Sequence, residues 1–307
     1  MSTFFPNQAQ SPGIFNNQGS GLFSGFSNNK FIGGSKEFLS SNTLVAKVVF
    51  LILVVILFVI ALRFGSGLIG WLFQPSSSPK IVDGKRDGGT FGVIPQNPNL
   101  TGSIPILRSR DQRGGLEFTW TIWLYLQDNW QQSNGNYKHI FSKGSQGKNG
   151  PADWKGIAYP NNAPGLYIHP NQNSLVILMN TVNSLGKGNN EEILINDVPL
   201  NKWINVGLRV KGKTMDVYVN GQVVSRHVFK AVPRQNYGDV FINQNGGFNG
   251  QMSDLWYHDY ALTGTQIMDI VNAGPNMNSD SSDSPSKYGP PYFSLAWYFD
   301  NSNYAPK

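Results

Sequence analysis

Residues Gly207 to Thr214 spell G-x-x-x-x-G-K-T, the spacing that wraps nucleotide phosphates when such a loop opens into a helix. Here Leu208, Arg209, Val210 and Lys211 alternate apolar and charged, continuing a run that begins at Ile204. Backbone N–H groups in that pattern belong to a sheet ladder, so no nucleotide is expected. The chain has four glutamates (Glu37, Glu117, Glu191, Glu192), and Glu191 and Glu192 are sequence neighbours that point to opposite faces of a strand. Retaining glycoside hydrolysis needs two carboxylates about 5–5.5 Å apart, which this set does not offer. His139, His169, His227 and His258 are scattered with no i, i+4 pair, and there is no cysteine, so a zinc site and thiolate catalysis both lack ligands. No Gly-x-Ser-x-Gly elbow occurs. These residues predict no enzyme and no assigned cofactor.

The elements that would hold such residues are strands. Met215, Val217 and Val219 alternate up to Asn220-Gly221, a strong hairpin signal, so three strands run up, down and up between 199 and 224. Glu117 to Leu126 alternates with Phe118, Trp120, Ile122, Leu124 and Leu126 on one face. Further strands are expected at 139–142, 165–168, 175–179, 239–242, 250–257 and 293–299, and one short helix at 264–272. Trp203, Trp256 and Trp297 lie in these patterns and are expected in the core. Many short strands with frequent turns predict an all-β, two-sheet antiparallel jelly-roll sandwich.

The N-terminal third differs. Residues 1–43 are a low-complexity Phe/Asn/Gly/Ser tail that cannot bury enough apolar surface to fold alone. Residues 44–73 predict a transmembrane helix with an interfacial extension. Its anchor residues are Lys47, Val48, Phe50, Leu57, Leu62, Arg63 and Trp71. Val48 to Leu62 are uninterrupted and apolar all round, while Lys47 and Arg63 can snorkel to headgroups. Residues 74–103 read as a linker and extended arm, and 104–307 as the sandwich. The net charge of +6 is divided unevenly: residues 1–103 carry seven Lys/Arg against three acids, and 104–307 seventeen against fifteen. A near-neutral folded part with no basic stripe excludes nucleic acid as a partner.

The order of motifs resembles a laminin-G-like, concanavalin A-like jelly roll. It runs through Phe118-Thr-Trp-Thr-Ile-Trp-Leu124, Ile140-Phe-Ser-Lys-Gly144, Pro199-Leu-Asn-Lys-Trp203, Asp216-Val-Tyr-Val-Asn-Gly221 and Phe248 to Tyr257. The resemblance covers roughly residues 116 to 300. The E-x-D-x-x-E strand of glucanases with this fold is absent, and Asp216 to Asn220 only faintly echoes a lectin metal loop. A rim calcium ion is compatible with the family, but no residue is assigned to it. The whole layout, closing on Gly289-Pro-Pro-Tyr-Phe-Ser-Leu-Ala-Trp-Tyr298, resembles membrane-anchored minor capsid proteins of large DNA viruses of algae. That resemblance implies a single-pass structural protein between virion membrane and capsid, with the lipid bilayer and capsid or other virion proteins as partners. The alternative is a lectin-like adhesion module binding polysaccharide. For either partner the candidate contact residues are Trp130, Trp154, Tyr159, Asn161, Asn245 and Phe248: aromatic platforms beside planar amides.

Overall fold

The computed structural model describes residues 44–72, 74–129, 135–146, 155–182 and 188–280. The chain divides into two compact units, residues 1–74 and 75–307. The described part of the first is one helix, α1 (Leu44–Leu72), whose apolar side chains are exposed all round. The expected interfacial extension after Arg63 is not a separate element; the helix continues through it as far as Leu72. At about 1.5 Å per residue its 29 residues exceed the roughly 30 Å of a bilayer's hydrocarbon core.

The second unit is built from strands β1 (Lys80–Asp87), β2 (Gly92–Ile94), β3 (Arg110–Gln112), β4 (Gly115–Leu126) and β5 (Lys138–Gly144). There follow β6 (Asn162–Ile168), β7 (Ser174–Val182), β8 (Gly188–Asn196), β9 (Trp203–Lys211) and β10 (Thr214–Val219). Strands β11 (Gln222–Val228), β12 (Val232–Pro233), β13 (Asp239–Ile242) and β14 (Gly250–His258) lead to a second helix, α2 (Gly264–Ala273). One sheet has the order β1-β14-β4-β9-β10-β11 with β3 also on β4; the other runs β12-β7-β6-β5-β13-β2 with β8 also on β7. All these pairings are antiparallel, giving the expected concanavalin A-like sandwich.

Local chemistry sets this topology. Gly212, at φ +60°, turns β9 into β10, with Lys211 opposite Thr214. Asn220 and Gly221, at φ 49° and 80°, make the primed turn into β11. The G-x-x-x-x-G-K-T string therefore occupies β9, a two-residue turn and the start of β10, and its residues pair in register with β4 and β10. Helix α2 is closed by a capping box: Gln266 N–H donates to Thr263 Oγ1 (3.3 Å) and Thr263 N–H to Gln266 Oε1 (2.9 Å). Its Ile267 packs with Leu262 on Tyr218, covering part of the outer face of the first sheet.

Between the sheets, Phe118, Trp120, Ile122, Leu124 and Leu126 of β4 meet Phe141, Leu166, Ile177 and Val240 of the opposite sheet. Trp120, 1% exposed, sits with its ring centroid 5.2 Å from Phe141 and 5.0 Å from Tyr257. Two expected core tryptophans are instead half-buried on the outer face. Trp203 lies one residue off the inward register set by Ile204 and packs on Tyr125 at 5.7 Å. Trp256 follows an irregularity at Ser253–Trp256 and lies between the Lys80 ammonium (5.2 Å) and His258 (6.1 Å). Trp297 and the expected strand 293–299 lie outside the described residues. Residues 80–94, read from composition as part of an arm, form β1 and β2, with Ile81 and Val82 fully buried.

Trp120→Ala is expected to cost about 3–5 kcal/mol. For a domain of this size that corresponds to a fall in Tm of order 10 °C, readable by circular dichroism on the detergent-solubilised full chain. An unchanged melt would contradict its place in the core.

Candidate ligand-binding surfaces

Of the six expected contact residues, Trp130 and Trp154 lie outside the described residues. Phe248 is 2% exposed and belongs to the main core, so it is corrected from contact residue to packing residue. Its loop needed an anchor: Asn243 Nδ2, also buried, donates to the carbonyls of Asp87 and Thr90 at 3.1 Å each, pinning the amide-rich turn to the connection between β1 and β2. Only Asn245 of that turn's centre, with Gly246, remains exposed. Tyr159 is 38% exposed and Asn161 half-buried. Asn161 lies beside Gly144 at one end of β5, whereas the 243–249 turn sits beside Ile140 and His139 near the other. Four to five residue steps of strand, about 13–17 Å, separate their anchor points, so Asn161 and Asn245 do not form one site.

Across the outer face of the second sheet runs residues 155–161, from Tyr137 to Ser145. Beneath it lies a buried polar chain with no exposed member. His139 Nδ1 accepts from Gln244 N–H (3.1 Å), which leaves the proton on Nε2, and Nε2–H donates to Ser142 Oγ (2.8 Å). Ser142 bonds to the Tyr167 hydroxyl, which donates to Asn162 Oδ1 (2.5 Å) and accepts from Ala158 N–H (3.2 Å). Asn162 Nδ2 donates to Ala158 O (2.7 Å), and its N–H to Asn180 Oδ1 (2.6 Å). Gly165 is required here because a Cβ would collide with Asn162 Oδ1 and the Tyr167 ring. A serine next to a histidine invites a nucleophilic reading, but the tautomer is wrong: Nε2 donates to the hydroxyl and cannot take its proton. Burial drives the His139 pKa down to about 3 and raises that of Tyr167 above its ordinary value.

The carboxylates are equally committed. Glu191 Oε2 lies 3.2 Å from His227 Nε2, and its oxygens accept the N–H groups of Lys230 and Ala231. Burial would raise its pKa, but these hydrogen bonds outweigh burial and hold it below the usual range. Such a group is a poor general acid at neutral pH. Glu192 is exposed on the opposite face of β8, and Glu117 on the other sheet faces Lys211 at 3.7 Å. Asp216 is held between Arg226 (2.6 Å) and Arg209 (3.3 Å). Among the described residues no three His, Asp or Glu side chains gather as a metal site would require.

Sequence reasoning missed a groove of about 650 Å3 between residues 106–108 and 232–238. Gln235 staples its two walls: its Oε1 accepts from Ser109 N–H (3.0 Å) and its Nε2 donates to Tyr257 Oη (3.2 Å), which donates to Leu107 O (3.0 Å). Arg108 and Arg234 are exposed at its rim, and Tyr237 is 85% exposed. Lys143 is 5% exposed, and its Nζ donates to Gly238 O (2.7 Å). Burial brings its pKa down to about 8, with the nearby Asp239 charge opposing the fall. Asn161 joins the lining, and no aspartate or glutamate among the described residues does. The signal was faint: Arg108 and Arg234 lie 126 positions apart, in segments with no strand period.

A family model described as the concanavalin A-like lectin/glucanases superfamily matches residues 101–268. Among solved structures, the receptor binding domain of botulinum neurotoxin mosaic serotype C/D, with tetraethylene glycol bound on its Hcn sub-domain, is similar at TM-score 0.42. It is 12% identical over 64% of this chain and 45% of that one. The binding domain of botulinum neurotoxin DC in complex with rat synaptotagmin II gives TM-score 0.36 and 16% identity over 52% of this chain and 36% of that one. The same domain in complex with SialylT gives 0.37 and 16% over 52% and 35%. The chain thus covers less than half the length of these solved chains. No curated protein sequence matches it.

A neutral buried imidazole makes stability pH-dependent with a defined sign. The unfolded histidine binds a proton below pH 6.5 and the folded one only near 3, so stability is fully present above 6.5 and is lost as pH falls. His139 alone contributes a loss of about 2 kcal/mol between pH 7 and pH 5. Denaturant unfolding at both values is expected to show a smaller decrement in His139→Asn than in the unmodified chain, whatever the variant's baseline stability. Equal decrements would contradict the assignment.

Proposed function

The chain belongs to the concanavalin A-like lectin/glucanases superfamily, and from that membership we propose that it is a membrane-tethered, non-catalytic binding module. The observation that carries the reading is α1. It is the one described helix long and apolar enough to cross a membrane, and its side chains are apolar on every face, whereas a helix packed on a soluble core would be apolar on one. Its flanking Lys47 and Arg63 suit the two headgroup zones. Non-catalysis is supported by the carboxylates: Glu117 and Glu191 lie on different sheets, and Glu191 is held ionised by backbone N–H groups. No cofactor is needed for such a role.

The layout of Phe/Asn/Gly/Ser tail, anchor and sandwich supports a finer reading. In it the protein is a minor capsid or virion membrane protein of a large DNA virus of algae, lying between membrane and shell. The surface suited to a capsid neighbour is the pair of sheet edges, β8 and β11, where Leu194, Val223, Val224 and Val228 are exposed. Unpaired strand edges accept another chain's backbone. A second reading, recognition of saccharide, is favoured by the groove between 106–108 and 232–238.

Expressed in cells, the full chain is expected to sediment with membranes, resist alkaline carbonate and dissolve in detergent, and the chain lacking 44–72 to be soluble. Recovery of the full chain as a soluble monomer would overturn the tether. Val224→Lys together with Val228→Lys is expected to abolish cross-linking to the shell neighbour in particles while leaving membrane extraction unchanged.

A further inference from the structure

We propose that the groove between 106–108 and 232–238 binds an acidic saccharide, a sugar polymer bearing carboxylate groups. The inference rests on the reading of the sandwich as a binding module and not on its capsid neighbour or its tether. Three cationic side chains, Arg108, Lys143 and Arg234, line a single depression that no carboxylate among the described residues shares. None of the three makes an ion pair among the described residues, in a domain where Arg86, Arg110, Arg209 and Arg226 all do. Lys143 is the more telling: its ammonium is nearly wholly buried with one neutral carbonyl as hydrogen-bond partner, leaving two donors unfilled, and the Asp239 charge, outside the groove lining, offsets its burial only in part. Burying a cation so is costly, and an anion in the groove would offset the cost.

The remaining chemistry selects a sugar over an acidic peptide. An extended peptide needs a row of free backbone donors and acceptors. The groove's walls offer few: Arg234 N–H donates to Asn180 O (2.8 Å), Gly238 N–H to Asn236 Oδ1 (3.0 Å) and Ser109 N–H to the Gln235 side chain (3.0 Å). What is left free is an aromatic face and charge. Tyr237, almost fully exposed, offers a flat apolar surface of the kind that stacks on a sugar ring. Arg108 and Arg234 both line the rim and are exposed, and forked guanidinium groups such as theirs take a carboxylate in bidentate fashion. Because Gln235 and Asn236 already brace the walls, little ordering cost remains to be met on binding.

The test uses the full chain in detergent micelles and isothermal titration with hexagalacturonate, the neutral hexasaccharide cellohexaose, and hexaglutamate. Hexagalacturonate is expected to bind, and at least tenfold more tightly than either of the others. Its affinity should fall tenfold or more in Arg108→Gln/Arg234→Gln and several-fold in Tyr237→Ala. These are exposed positions, so the melts should stay unchanged. Raising the salt from 50 to 300 mM should weaken binding. Absence of hexagalacturonate binding, equal binding of hexaglutamate, or full affinity in the double variant would each overturn the proposal. None of those results touches the membrane assay, so the tether and the groove fail separately.

Discussion

Burial of β4's alternate side chains between the two sheets is the constraint from which the rest of the sandwich follows. Phe118, Trp120, Ile122, Leu124 and Leu126 all point inward, and Trp120 bridges Phe141 of the opposite sheet and Tyr257 of its own. Because side chains alternate with period two, fixing that face fixes the opposite one. Glu117, Thr119, Thr121, Trp123 and Tyr125 must then face outward, where α2, its preceding loop and neighbouring strands cover much of that surface. The paired register of β9 and β14 on either side of β4 carries the same alternation across the sheet.

A covered outer face brings polar groups into the dry interior, and those must be bonded. The chain from Gln244 through His139, Ser142, Tyr167 and Asn162 to Asn180 meets that demand on the second sheet. The same residues resemble parts of a catalytic relay when read as a list. The direction of each hydrogen bond shows otherwise, since the imidazole donates where a base would accept. Asp216 on β10 and Glu191 on the edge strand β8 follow the same logic, their oxygens filled by guanidinium and backbone donors. Beside these bonded groups, Lys143, Arg108 and Arg234 stand out because none of them makes an ion pair among the described residues, the Asp239 charge near Lys143 lying outside the groove lining.

Much of the fold was legible in the sequence for a physical reason: strands with one buried face write their orientation into period two. The strands at β4, β9, β10, β13 and β14, the Asn220-Gly221 turn and the short helix α2 all follow from that. Strands β1 and β2 were not legible, because Lys80 to Asp87 carries five charged residues and a glycine in eight, and its pairing with β14 is irregular. Trp203 and Trp256 misled through size, since a large aromatic suits an outer face when Tyr125 or Lys80 covers it. Of the expected contact residues that are described, Asn161 alone reaches the groove. Phe248 could not be placed from its loop, because the segment it packs against, the β1–β2 connection at Gly88, lies more than 150 positions earlier in the chain.

The claim that α1 is a lipid anchor is tested most directly by a depth profile along it. The chain has no cysteine, so single cysteines at each position from 48 to 62 can be spin-labelled without background in lipid nanodiscs. The account predicts that accessibility to oxygen rises to one maximum near Val55 and falls toward both ends, with no 3.6-residue ripple. A ripple of that period, or labels open to an aqueous relaxant along the whole helix, would contradict it.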